Sequence, residues 1–164
     1  MDLDLLDFLR DLSNYVVIKK DADFPRFSVG KDDVDILCYD TAQAREHIIS
    51  VLNAKYKRHS HRFNSENDQL DVLLGRQFIV KFDLYNSLKT MYPRYDIPEG
   101  LTREVVDRGA LDDSGCRVPL LTHELMIRQL EYDTHYEKRP DKIKHLKYIE
   151  GFPAIEYTRF NART

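Results

Sequence analysis

Two aspartates open the apolar run Asp33-Val34-Asp35-Ile36-Leu37-Cys38-Tyr39, and a third interrupts Phe78-Ile79-Val80-Lys81-Phe82-Asp83-Leu84-Tyr85. Side chains alternate between the faces of a strand, so Asp33 and Asp35 leave the same face with Cβ atoms roughly 7 Å apart. Val34, Ile36 and Cys38 take the other face. Like charges entering an apolar strand repel each other and lose hydration. A hard cation with oxygen ligands, Mg²⁺ or Mn²⁺, removes that conflict. Lys81 and Tyr85 share the face of Asp83, and if the two runs are neighbouring strands Asp83 completes a three-carboxylate site. Simpler readings stand beside this one. Asp33, after Asp32, suits a turn entering a strand, and Asp83 suits an ion pair with Lys81 or another base.

The elements that must position these acids follow from hydrophobic period. Leu3, Leu5, Leu6, Phe8, Leu9 and Leu12 recur at helical spacing, and Tyr15-Val16-Val17-Ile18 reads as a short buried strand. The stretch 20–32, with Pro25, Gly30 and several Asp, reads as a loop. After the Asp33/Asp35 strand, Asp40-Thr41 caps a helix expected over Ala42–Leu52, with His47, Ile48, Val51 and Leu52 inward. Strand-like segments follow over Lys55–Phe63, Gln69–Leu74 and Gln77–Tyr85, the last two joined by a hairpin at Gly75-Arg76. Met91–Gly100 reads as a loop, Leu101–Gly109 as a short helix and Thr122–Tyr136 as a longer helix packed over the sheet. Pro140 opens a last basic helix through Ile149. The order predicts an α/β or α+β fold: a mixed sheet flanked by helices, with further helices at the C-terminal end. Residues 1–120 form the domain and 121–164 a helical segment packed on it.

A strand, a loop, an Asp-x-Asp strand, a helix and a later strand with a third Asp resemble the nucleotidyltransferase superfamily over residues 15–85. Val29-Gly30-Lys31-Asp32-Asp33-Val34-Asp35-Ile36-Leu37 is the most specific stretch. The resemblance implies a nucleotidyltransferase-like fold and Mg²⁺ or Mn²⁺ held by Asp33, Asp35 and Asp83. It implies catalytic roles for Asp35 and Asp83, the latter as base, and transfer of a nucleotidyl group from a nucleoside triphosphate to a hydroxyl. The acceptor class stays open among protein, sugar and nucleic acid, and a partner protein could supply it. Where that family has a Gly-Ser or Gly-Gly pair after the first strand, this chain has Lys19-Lys20-Asp21. Lys19 and Lys20 are the expected phosphate contacts, with Gly30 and Lys31 beside them near the Asp pair. A non-catalytic module that binds a nucleotide, sugar or protein through the same fold is the alternative.

Bulk properties exclude several classes. The 164 residues carry a net charge of -3 with 42% hydrophobic and 32% charged side chains, which fits a globular chain and no general polyanion binder. No apolar run spans a bilayer, the first residues are acidic where a secretory signal is basic, and two cysteines make no disulfide framework. These features predict a cytoplasmic protein without membrane contact. No Walker loop, Rossmann fingerprint or nucleophile elbow occurs. Two basic stretches remain. One is Lys55, Lys57, Arg58, His59, His61 and Arg62, read as a charged edge strand or as a phosphate or polynucleotide contact. The other is Lys138, Arg139, Lys142, Lys144, His145 and Lys147 on the last helix, read as a solvated face or a frame for the nucleotide.

Overall fold

A computed structural model describes residues 3–21, 24 and 33–163. Helix α1 (Leu5–Leu9) starts where Asp4 accepts a hydrogen bond from the Leu6 N–H. Strand β1 (Tyr15–Ile18) is buried at all four residues, and β2 (Asp33–Cys38) alternates as its sequence requires, with Val34 and Ile36 buried. Asp40 caps α2 (Thr41–Lys55) through the Gln43 N–H, and Ala44, Ile48 and Leu52 form its inner stripe. His47 and Val51, also expected inward, lie at its margins.

Strands β3 (His59–Asn64), β4 (Gln69–Leu74) and β5 (Gln77–Tyr85) complete the main sheet. Gly75, at φ +62°, makes the tight β4–β5 connection. The helices α3 (Leu88–Met91) and α4 (Leu101–Asp107) follow, then a small hairpin of β6 (Ala110–Leu111) and β7 (Arg117–Val118). Gly109 lets this hairpin close on β1, since a Cβ there would stand 2.4 Å from Val16 Cγ1. Helix α5 (Leu121–His135), a 3-10 turn (Pro140–Lys142) and α6 (Ile143–Glu150) end the regular structure. The later residues are irregular apart from a bridge between Tyr95 and Ala162.

The fold is mixed α/β. The main sheet has the order β1-β2-β5-β4-β3, in which β2 and β5 run parallel and every other pair is antiparallel. One face, with Val17, Ile36, Val72 and Phe82, packs against Phe8, Ile48 and Leu52 of α1 and α2. The other face, with Val16, Ile18 and Leu37, packs against Val105 and Val106 of α4 and Met126, Ile127 and Leu130 of α5. The apolar cover on this second face belongs to β1 and the C-terminal end of β2. Beyond it the same face carries Asp33, Asp35, Lys81 and Asp83.

Several boundaries differ from the sequence reading. Helix α1 stops at Leu9, because Ser13-Asn14 must reverse the chain into β1 and Asn14 takes φ +53°. Helix α2 runs to Lys55, so β3 starts later than Lys55. The last helix begins as a 3-10 turn at Pro140. The hairpin β6/β7 carries no period that two-residue strands could display. Among the described residues no helix is long and apolar enough to cross a membrane.

Candidate functional site: an acidic cluster bridged by lysines

The parallel pairing of β2 and β5 sets Asp33 opposite Lys81 and Asp35 opposite Asp83. Neighbouring strands lie about 4.8 Å apart, so Asp35 and Asp83 stand side by side on one face with Asp33 one step along. The neighbourhood that the sequence left conditional is therefore present, and the three aspartates are brought together. Asp33 is half exposed, at 51% of its side chain, while Asp83 retains only 7%.

Two lysines thread this face. Lys81 Nζ lies 3.6 Å from Asp33 Oδ2 and 3.4 Å from Asp83 Oδ2. Lys19, the first residue after β1, adopts φ +52°, an uncommon conformation for a residue with a Cβ. Its ammonium lies 3.4 Å from Asp35 Oδ2 and 3.2 Å from Glu131 Oε2 of α5. Glu131 also accepts from Lys142 Nζ at 2.7 Å and from the Tyr92 hydroxyl at 2.9 Å. Four carboxylates (Asp33, Asp35, Asp83, Glu131) thus meet three ammonium groups (Lys19, Lys81, Lys142), which leaves one negative charge, -4 + 3 = -1.

Burial and charge shape the acidities. Burial pushes Asp83 up to about 6, with the Asp35 charge adding to the shift and Lys81 opposing it. Burial also raises Asp35, against the pull of Lys19. Burial disfavours the charged Lys19, but Asp35 and Glu131 outweigh it and hold the ammonium above its ordinary range. Glu131 is shifted the opposite way from its neighbours. Its burial is overcome by Lys19 and Lys142, and its carboxyl falls well below the usual range. Asp83 Oδ1 is buried with no hydrogen-bond partner among the described residues.

An orphaned carboxylate oxygen beside a second carboxylate, with residual negative charge, fits a divalent oxygen-seeking cation. Asp33, Asp35 and Asp83 are the side chains that would hold it. As they stand, no three His, Cys, Asp or Glu side chains among the described residues converge on one ion position. Lys81 and Lys19 occupy the space between the acids, so a cation there requires Lys81 to swing away.

The expected phosphate contacts separate. Lys19 turns into the cluster, whereas Lys20 turns out to an ion pair with Asp112. Its backbone carbonyl accepts from Arg128 Nη2 at 2.8 Å. Gly30 and Lys31, like Asp32, lie outside the described residues.

Arg128 is itself buried, bonded through Nε to Glu124 at 2.8 Å and stacked 3.8 Å over Tyr148. His145 Nδ1 lies 3.4 Å from Arg128 Nη1. Burial, aided by that guanidinium, drives His145 down to about 3 and keeps it neutral, so Nδ1 can accept. Arg128 thereby ties α5 and α6 to the chain just after Lys19.

Sequence reading did not place Glu131 or Arg128 at the site, put Tyr92 in a loop, and offered Lys142 only within a solvated face or a frame for the nucleotide. The signal for Arg128 and Glu131 was the spacing of Glu124, Arg128 and Glu131 at i, i+4 and i+7 on one helix. That puts three charges on a single stripe, and all three are buried. Compared with family models, curated proteins and solved structures, the chain matches none, and its chemistry is argued from this geometry.

Proposed function

We propose that the protein is a Mg²⁺- or Mn²⁺-dependent nucleotidyltransferase, with Asp33, Asp35 and Asp83 holding the cation. The observation that carries this reading is the register of β2 on β5. It sets Asp35 beside Asp83, whose buried Oδ1 has no hydrogen-bond partner among the described residues. A bound divalent cation would supply charge neutralisation at a phosphoryl group. An acceptor hydroxyl oxygen attacks the α-phosphorus of a nucleoside triphosphate, the bond to pyrophosphate breaks, and the hydroxyl proton passes to Asp83. In the cation-free site that carboxylate is ionised above pH of about 6, and a bound cation would favour the ionised form further. Lys19 and Lys142 hold Glu131 and Asp35 in place around the reacting groups. A cytosolic setting agrees with two buried free thiols, Cys38 and Cys116.

The test pairs binding with turnover. Wild type and Asp35→Ala are heated with Mg²⁺ or Mn²⁺ and each nucleoside triphosphate, and transfer of an α-phosphate label to protein, sugar or nucleic-acid acceptors is followed. Cation-dependent melting shifts with label transfer, both lost in Asp35→Ala, support the reading. Equal melting of both proteins under every condition, without transfer, sinks it.

A second reading rests on the lysine bridges themselves. Lys19 and Lys81 already offset much of the acidic charge, as suits a module that keeps the fold and binds a nucleotide, sugar or protein without chemistry. Nucleotide-dependent stabilisation that needs no divalent cation, with no label transfer, is its signature.

A further inference from the structure

The acidic face leaves unused a basic stretch at the far edge of the sheet. Residues 54–65 carry Lys55, Lys57, Arg58, Arg62, His59 and His61 with no acid among them, in a molecule of net charge -3. They span the end of α2 and all of β3, and among the described residues β3 pairs only with β4. The His59 N–H bonds the Tyr56 carbonyl at 2.8 Å, on the side away from β4. In an antiparallel ladder the outward positions alternate, so His61 and Phe63 also present N–H and C=O groups outward. Among the described residues nothing pairs with them.

A cavity of about 320 Å³ opens at the start of this strand, lined by Ala54, Lys55, Tyr56, Lys57, Arg58, His59 and Leu74. Its apolar wall includes Leu74, which is 36% exposed, and His59 Nδ1 in its lining is buried with no partner among the described residues. Lys55 is engaged by Asp7 and Arg62 by Asp71. Lys57 and Arg58 have no ion-pair partner among the described residues.

We propose that this edge binds an acidic, extended peptide segment of a partner protein. The segment adds as a strand beside β3, seats one apolar side chain in the cavity, and sets its carboxylates against Lys57 and Arg58. Charge on an edge strand guards it against unselective pairing, and an acidic strand is the one that this guard admits. A second copy of the chain would bring the same cations against themselves. Single-stranded nucleic acid needs exposed aromatic faces for its bases. Here Tyr56 is buried against Phe8, and Phe63 lies under the Arg45 guanidinium at 4.1 Å.

The experiment uses the full chain and a fluorescein-labelled heptapeptide of alternating glutamate and valine with a central leucine. Comparison probes are its lysine counterpart, the same peptide N-methylated at alternate amides, and a thymidine decanucleotide. Expected is saturable, salt-sensitive binding of the glutamate peptide only. It weakens about tenfold or more in the double variant Lys57→Glu, Arg58→Glu, and on N-methylation of the peptide. His61→Pro removes one outward N–H, a change that edge strands tolerate, and weakens binding similarly; the N-methylated peptide makes the same test on unaltered protein. Any of four results overturns the proposal: no binding of the glutamate peptide, undiminished binding after N-methylation, tighter binding of the decanucleotide, or self-association of the chain through this edge. The edge is separated from Asp35 and Asp83 by β4, so this outcome leaves the metal-site reading untouched.

Discussion

Two lysines neutralise the same acidic face in different surroundings. Lys19 keeps 8% of its side chain exposed and bridges Asp35 to Glu131, which is 7% exposed and further held by Lys142 and Tyr92. Lys81 keeps 25% and bridges Asp83 to the half-exposed Asp33. A buried ammonium between two carboxylates cannot leave without stranding charge, so Lys19 belongs to the architecture. A quarter-exposed ammonium on a flexible four-carbon stem can reach water, so Lys81 could vacate its two aspartates once another cation takes over the charge of the buried Asp83. One side of the face is fixed, and on the proposed metal-site reading the other is where a cation would take the place of Lys81.

Three changes probe that contrast, the first through stability. Lys19→Met leaves Asp35 and Glu131 facing each other without their shared counter-charge and is expected to cost about 3 kcal/mol in urea unfolding at pH 7. A loss below about 1 kcal/mol would place Lys19 with the dispensable surface pairs.

The second is a pH effect. A cation must displace the proton from Asp83, whose carboxyl is raised to about 6. Apparent Mn²⁺ affinity should therefore be about tenfold weaker at pH 5 than at pH 7 and level above that. Without a cation the sign reverses. The raised carboxyl stabilises the fold fully below about pH 4, the unfolded range for aspartate, and that contribution is lost as pH rises through about 6. Unfolding curves from pH 4 to 7, with and without Mn²⁺, read both slopes.

The third and smallest change is Lys81→Met. It should cost about 1 to 2 kcal/mol, less than Lys19→Met because only Asp83 of its two partners is buried, and strengthen Mn²⁺ binding several-fold by removing a competitor. Unchanged or weaker binding would mean that Lys81 stays in place and no exchange occurs.

Strand period disclosed much of this face in advance. The ends of β4 and β5 match their apolar runs because Gly75 punctuates them, and Asp33 and Asp35 lie on a common face because strand alternation admits no other arrangement, whereas Asp83 joins that face only through its register opposite Asp35. Their adjacency needed one non-local fact, the parallel pairing of β2 on β5 across an intervening helix and two strands. The remaining components depend on tertiary packing. Glu131 looks like an ordinary helical charge until α5, laid on the sheet by Met126, Ile127 and Leu130, is covered on its flank by α6, which buries the stripe of Glu124, Arg128 and Glu131 as well. Lys19 and Lys20 are indistinguishable by type, and the left-handed backbone at Lys19 decides which enters the cluster. The tie from Arg128 to the Lys20 carbonyl joins residues 108 positions apart, a separation at which local patterns carry no information.

The central claim is that the β2/β5 acids hold a divalent cation, and Mn²⁺ binding followed by electron paramagnetic resonance tests it most directly. The measurement uses the full chain at pH 7.5 with wild type, Asp35→Asn, Asp83→Asn and, as a control, Glu99→Gln at an exposed loop position. The account predicts saturable Mn²⁺ binding in wild type and Glu99→Gln, weakened about tenfold or more in both aspartate variants. Binding in Asp35→Asn and Asp83→Asn equal to wild type, or none in any of the four proteins, would contradict it.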